Sequence, residues 1–134
     1  MGHFSMKIMP LPGSDLGANQ QVTSEMLDYV CVPVERDRLT ATADTEAYIA
    51  TLAFSAKEAF YKAYFPTARV FLEFTDVELE VDWQTRSFVV SLCSTAAPDI
   101  AGRRRFQGRF RLIGPYIVTA VWVAVPARLA SVET

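Results

Sequence analysis

A chain of 134 residues, 51% hydrophobic and 21% charged, suffices for one compact domain with a substantial core. Its net charge of −2 and pI near 5.4 exclude a general nucleic-acid binder, whose affinity rests on a basic face. Cys31 and Cys93 stand far apart without a ligand motif, which argues against a metal knuckle or disulfide framework and for buried thiols in a reducing, cytoplasmic setting.

Residues 1–21 read as a poorly defined segment, in part as residues added to the native chain, followed by a domain over 22–126 and a tail over 127–134. His3 is the one histidine and reads as a terminal passenger rather than a base. A short strand is expected over 5–9, and Pro10, Pro12, Gly13 and Gly17 then make a turn-rich loop. A short helix is expected over 23–31, with Thr23 or Ser24 as its N-cap. Pro33 interrupts it, and 34–39 forms a further helical turn carrying Glu35, Arg36, Asp37 and Arg38.

The main helix is placed over 45–65, capped by Asp44 and stopped by Pro66. Ile49, Leu52, Ala53, Ala56, Phe60, Ala63 and Tyr64 recur at steps of three and four, one buried stripe. The period then changes. Val77, Leu79 and Val81 alternate with Asp76, Glu78 and Glu80, the signature of a half-buried strand. A second strand follows over 86–93 and a polar connection over 98–105. A hairpin closes the chain, 106–113 and 116–125, joined at Gly114 and Pro115. Its last strand is apolar on both faces, which suits an interior or interface position. No stretch is long enough to span a bilayer, since the apolar run 116–126 has only 11 residues. The expected fold is α+β, a long helix packed on an antiparallel sheet of three to four strands.

The stretch 54–66, FSAKEAFYKAYFP, sets Lys57, Glu58 and Lys62 inside this apolar helix. Glu58 and Lys62 are four apart and share a side of the helix, with Lys57 about 100° around it. An ordinary surface ion pair is one account of them. The alternative is a site, because Ala56, Ala59 and Ala63 allow close approach and aromatic residues flank the charges.

The string resembles the pattern (W/F)-x-x-K-E-x-x-x-K of the 4'-phosphopantetheinyl transferases, which move the phosphopantetheine arm of coenzyme A onto a carrier-protein serine. The resemblance extends over roughly 34–125, through Phe74-Thr75-Asp76-Val77-Glu78, Gly108-Arg109-Phe110 and Ile117-Val118-Thr119-Ala120-Val121. It is closest to the larger, two-repeat class that serves polyketide, peptide-synthetase and siderophore pathways. It implies magnesium as cofactor, coenzyme A as co-substrate and an acyl or peptidyl carrier protein as partner. Glu58 would be a metal ligand and catalytic carboxylate. Lys62 would hold phosphate, Lys57 the phosphate or pantetheine end of coenzyme A, and Glu35 would take the serine proton as a base or remain a solvated helix charge.

The chain departs from the family's G-x-D-x-E/M segment, whose aspartate is a metal ligand. Gly13-Ser14-Asp15 supplies one candidate, with Asp15 as ligand. Ser5-Met6-Lys7-Ile8-Met9 matches the segment in shape, but Lys7 then stands at the metal position. A third option puts the aspartate upstream. The amino-terminal half of the two-repeat class is also missing, so a homo-oligomer like that of the short holo-acyl-carrier-protein synthases, or a separate amino-terminal half, would have to complete the site. Arg103-Arg104-Arg105 reads as a solvated run, or as a contact for coenzyme A phosphate or an acidic carrier. A non-enzymatic relative that keeps a binding face is the alternative function. A hot-dog-like or other α+β domain of chance likeness is the third.

Overall fold

The computed structural model of the chain describes residues 2–12, 24–41 and 46–124. Among these residues five strands form one antiparallel sheet: β1 (Gly2–Pro10), β2 (Val77–Asp82), β3 (Ser87–Leu92), β4 (Arg105–Ile113) and β5 (Tyr116–Ala124). Their order across the sheet is β1-β5-β4-β3-β2, a four-strand meander with β1 added at its end. Among the described residues three α-helices accompany it, α1 (Leu27–Val30), α2 (Pro33–Leu39) and α3 (Glu46–Ala68). No helix among the described residues is long and apolar enough to cross a membrane.

The α+β architecture is as expected, with a fifth strand where three to four were expected. The difference is β1, which pairs along its whole length with β5, from Gly2 opposite Ala124 to Pro10 opposite Tyr116. Residues 2–10 therefore form an edge strand of the sheet. Alternation explains why they do. Ser5 and Met9 are buried and Lys7 shares their side of the strand, while Phe4, Met6 and Ile8 point to the other side and are exposed. The apolar β5 lies between β1 and β4, as its two-faced composition suggests, and Ile117, Thr119, Val121 and Val123 are its buried row.

The alanines do what their size allows. Ala50, Ala53, Ala56, Ala59 and Ala63 are fully buried, so α3 lies close against its neighbours on several sides. Phe60 stacks on Tyr64 and meets Phe106 of β4, each with ring centroids 5.1 Å apart. Gly108 of β4 sits opposite Phe88, whose ring fills the space a side chain would need, at 2.2 Å from an ideal Cβ.

Pro66 does not stop the helix. It withholds its own N–H in the last turn, yet α3 continues to Ala68 and ends at Arg69, whose backbone is left-handed (φ 57°) and whose N–H bonds the Phe65 carbonyl at 2.8 Å. The first expected helix is shorter than 23–31, a 3-10 turn (Ser24–Met26) followed by α1. The Asp44 cap lies outside the described residues.

Candidate functional site

The motif splits between the interior and the surface of α3. Lys57 belongs to the interior, with a side chain only 1% exposed. Four segments converge on its ammonium. It donates to the carbonyls of Val30 at 2.7 Å, Phe74 at 2.9 Å and Val77 at 3.0 Å, and to Glu35 Oε1 at 2.9 Å. An ammonium has three hydrogens, so none is left over for a ligand.

Glu35 is equally enclosed. Its Oε1 also accepts the Val32 N–H at 3.1 Å, capping the start of α2, and its Oε2 accepts the Leu79 N–H of β2. Lys57 and Glu35 thus tie α1, α2, α3 and β2 together. The resemblance implies a coenzyme A contact for Lys57 and, for Glu35, a proton-accepting role or a solvated helix charge. The structure brings the two residues together as a buried ion pair, with both carboxylate oxygens engaged and neither group solvated.

Cys31 lies against this pair. Burial, and then the neighbouring Glu35 carboxylate, push its thiol up from 9.0 to about 12. A thiol raised in the folded state contributes stability that is fully present below 9.0 and is lost as pH rises toward about 12. Urea midpoints measured across that range should fall with pH, and Cys31→Ala should flatten the fall.

The other two charges of the motif face outward. Glu58 is half-buried, and its carboxylate meets Lys7 Nζ of β1 at 3.8 Å. Lys62 is exposed one turn further along, and no described carboxylate lies within ion-pair distance of it. The ordinary Glu58–Lys62 surface pair, one of the two accounts of these charges, therefore does not form. Lys7 is held in place through its strand. Thr119, opposite it on β5, exchanges a 2.7 Å hydrogen bond with the Ser55 hydroxyl and approaches the Lys7 carbonyl at 3.5 Å. Ser55 is one turn before Glu58, so the same contact that docks α3 on the sheet sets Lys7 against Glu58.

Beside Glu58 is a cavity of about 270 Å³, bordered by Lys57, Glu58, Tyr61, Glu73, Phe71 and Phe74 among others. Tyr61 was not singled out in the sequence. Its hydroxyl is buried and finds no hydrogen-bond partner among the described residues, which leaves a donor to offer a ligand. No sequence signal marks it beyond its place one turn after Lys57.

Magnesium needs hard oxygen ligands around a point of negative potential. The described residues do not fit it. No group of three His, Cys, Asp or Glu side chains converges anywhere among them, and Glu58 already faces an ammonium. At the separation of the Lys7–Glu58 pair, two unit like charges in a surface-like medium repel by about 4 kcal/mol, and a divalent ion would meet about twice that. Asp15, the other candidate ligand, lies outside the described residues. The arginine run is elsewhere. Arg104 clamps the β3–β4 connection through the Ser94 and Ala97 carbonyls and Asp99, and Arg105 pairs with Glu80. Arg103, Arg105 and Arg109 border a separate groove of about 810 Å³ with Phe4 and Trp122.

The family model of the 4'-phosphopantetheinyl transferase superfamily matches residues 13–121. The 4'-phosphopantetheinyl transferase Svp of Streptomyces mobaraensis is 34% identical over 122 residues, a match covering 88% of this chain and 49% of Svp. The chain thus spans about half the length of that relative. Among solved structures, a holo-(acyl-carrier-protein) synthase of Bacillus anthracis in complex with CoA (3',5'-ADP) is similar with TM-score 0.58 and 18% identity, covering 92% of this chain and 96% of that one. The holo-ACP-synthase of Plasmodium yoelii gives TM-score 0.61 at 16% identity, covering 92% and 94%, and the Neisseria meningitidis enzyme 0.59 at 17%, covering 92% and 99%. At such identities the likeness speaks for the fold, and the sequence match supplies the rest: this chain belongs to the 4'-phosphopantetheinyl transferase superfamily.

Proposed function

We propose that this chain carries the phosphate-binding half of a transferase that moves 4'-phosphopantetheine from coenzyme A to a carrier-protein serine. The serine oxygen forms a bond to the phosphorus bearing the pantetheine arm, the bridging P–O bond breaks, 3',5'-ADP leaves with the bridging oxygen, and the serine proton passes to solvent water. The observation that carries this reading is the division of the motif. Lys57 anchors the helix internally, while Glu58 is delivered to the edge of a cavity with an unpartnered tyrosine hydroxyl and Lys62 to the exposed surface one turn further along. Lys62 meets phosphate as a point charge, and Tyr61 donates to a phosphate or amide oxygen of the same substrate. Glu35 and Lys57 hold the site in shape and do not contact substrate. The reaction is placed in the cytoplasm, where coenzyme A and carrier proteins meet.

The test is incubation of the full chain with coenzyme A and an apo carrier protein, following the carrier's mass. Appearance of the holo carrier, absent when its acceptor serine is replaced by alanine, is the expected result. Unmodified carrier despite coenzyme A binding would exclude transfer by the chain alone. Lys62→Ala should lower kcat/KM by about tenfold or more, the loss of one charge-assisted phosphate contact. Unchanged kinetics would remove Lys62 from the site.

A second reading, an incomplete relative that keeps a binding face, is favoured by the half-length match to Svp. The outward side of β1 and β5 offers Phe4, Met6, Ile8 and Trp122 as an apolar surface for a second copy or a separate amino-terminal half. On this reading the chain binds coenzyme A but needs that partner for transfer.

A further inference from the structure

The geometry points to Lys7 as the resident cation of this site, standing where a divalent ion would have to sit beside Glu58, so that coenzyme A phosphates are bound without metal. The inference rests on the phosphopantetheinyl-transfer reading above and concerns how that site handles charge.

Three observations carry it. Lys7 occupies the inward row of β1, between Ser5 and Met9, both buried. A lysine is costly in such a row unless its head reaches a charge or solvent at the edge, and here it reaches Glu58. The pair is also loose, at 3.8 Å with both side chains a quarter to a third exposed, so it contributes little to folding. An ammonium held weakly by one carboxylate exchanges readily to a phosphate oxygen. Finally, the backbone that places it is well fixed, because Lys7 pairs with Thr119, and Thr119 is bonded to Ser55 within α3. Lys62 adds a second ammonium one turn along from Glu58, and Glu73 a second carboxylate on the cavity wall. It is the Lys7 ammonium directly beside Glu58 that admits a phosphate oxygen there and repels a dication.

The test uses the full chain in two measurements. Calorimetric titration with coenzyme A is run in chelator and again in magnesium, and Mn²⁺ is titrated separately with bound ion read by electron paramagnetic resonance. The inference expects coenzyme A affinity to agree within about threefold between the two buffers, and no Mn²⁺ to be bound. Lys7→Met, apolar and of similar length on the inward row, should weaken coenzyme A binding by about tenfold, whereas Lys7→Arg should retain it. Lys7→Asp should create Mn²⁺ binding and make coenzyme A affinity metal-dependent, since two carboxylates would then face each other.

Bound Mn²⁺ in the unaltered chain, lost in Glu58→Gln or Glu73→Gln, would overturn the inference and leave the transferase reading standing. A tenfold or larger gain in coenzyme A affinity with magnesium would do the same. No coenzyme A binding in either buffer would overturn the role of Lys7 together with the proposed function. Equal binding by Lys7→Met and the unaltered chain would overturn the role of Lys7 alone.

Discussion

Lys57→Ala should destabilise the fold by about 3–5 kcal/mol, the cost of leaving one member of a buried ion pair unpaired. Glu35 would keep its hydrogen bonds from Val32 and Leu79 but would lose the cation that compensates its charge at zero exposure. The carbonyls of Val30, Phe74 and Val77 would lose their shared donor in the same step. Those carbonyls belong to the end of α1, the turn before β2 and β2 itself, so the damage reaches three segments that α3 would no longer hold. Urea denaturation reads the effect as a large fall in midpoint. A loss below about 1 kcal/mol would mean that the ammonium is hydrated and the pair exposed in solution. Substitutions at Lys7 and Lys62 should change stability little by comparison, because their charges lie at the surface.

Much of this arrangement was open to reading in the sequence, and the rest was hidden for identifiable reasons. The helix and the later strands were legible because their apolar residues keep one period over long stretches. The inward position of Lys57 was in the same pattern. It lies four residues after Ala53 and three before Phe60, both in the buried stripe. A charged residue in a catalytic-looking motif suggested a ligand contact, and the pattern argued otherwise. The partners of Lys57 could not be read, since three of the four are backbone carbonyls, which have no sequence signature. Glu35, 22 residues upstream, could be paired with Lys57 only once α2 was seen folded against β2.

The short strand was expected at 5–9, but its pairing was not, because strand order is a tertiary property that alternation within one strand does not encode. Only that pairing sets Lys7 against Glu58. Pro66 shows the opposite limit. A local rule against helix continuation was overridden in a final turn that has its own left-handed cap at Arg69.

Replacing both members of the buried pair, Glu35→Leu together with Lys57→Met, should recover part of what either single change loses. Apolar residues of similar volume need no desolvated charge to be balanced, and such exchanges are often neutral or stabilising. The double variant should therefore be more stable than Lys57→Ala, which lies about 3–5 kcal/mol below the unaltered chain, because it leaves no unpaired buried charge. The Leu79 and Val32 N–H groups would lose their acceptor, and the Val30, Phe74 and Val77 carbonyls their shared donor, which sets the residual cost.

The same variant decides what the pair does for chemistry. If Glu35 accepted the serine proton, removing it with the fold intact would lower turnover by about 10²–10⁴-fold. The geometry predicts a much smaller change, within about tenfold, because both oxygens of Glu35 are engaged in the interior and Lys57 has no free hydrogen for phosphate. Coenzyme A affinity should move as little. A stable double variant that binds coenzyme A and no longer transfers would return Glu35 to the role of base, and would require the α2–β2 contact to open during the reaction.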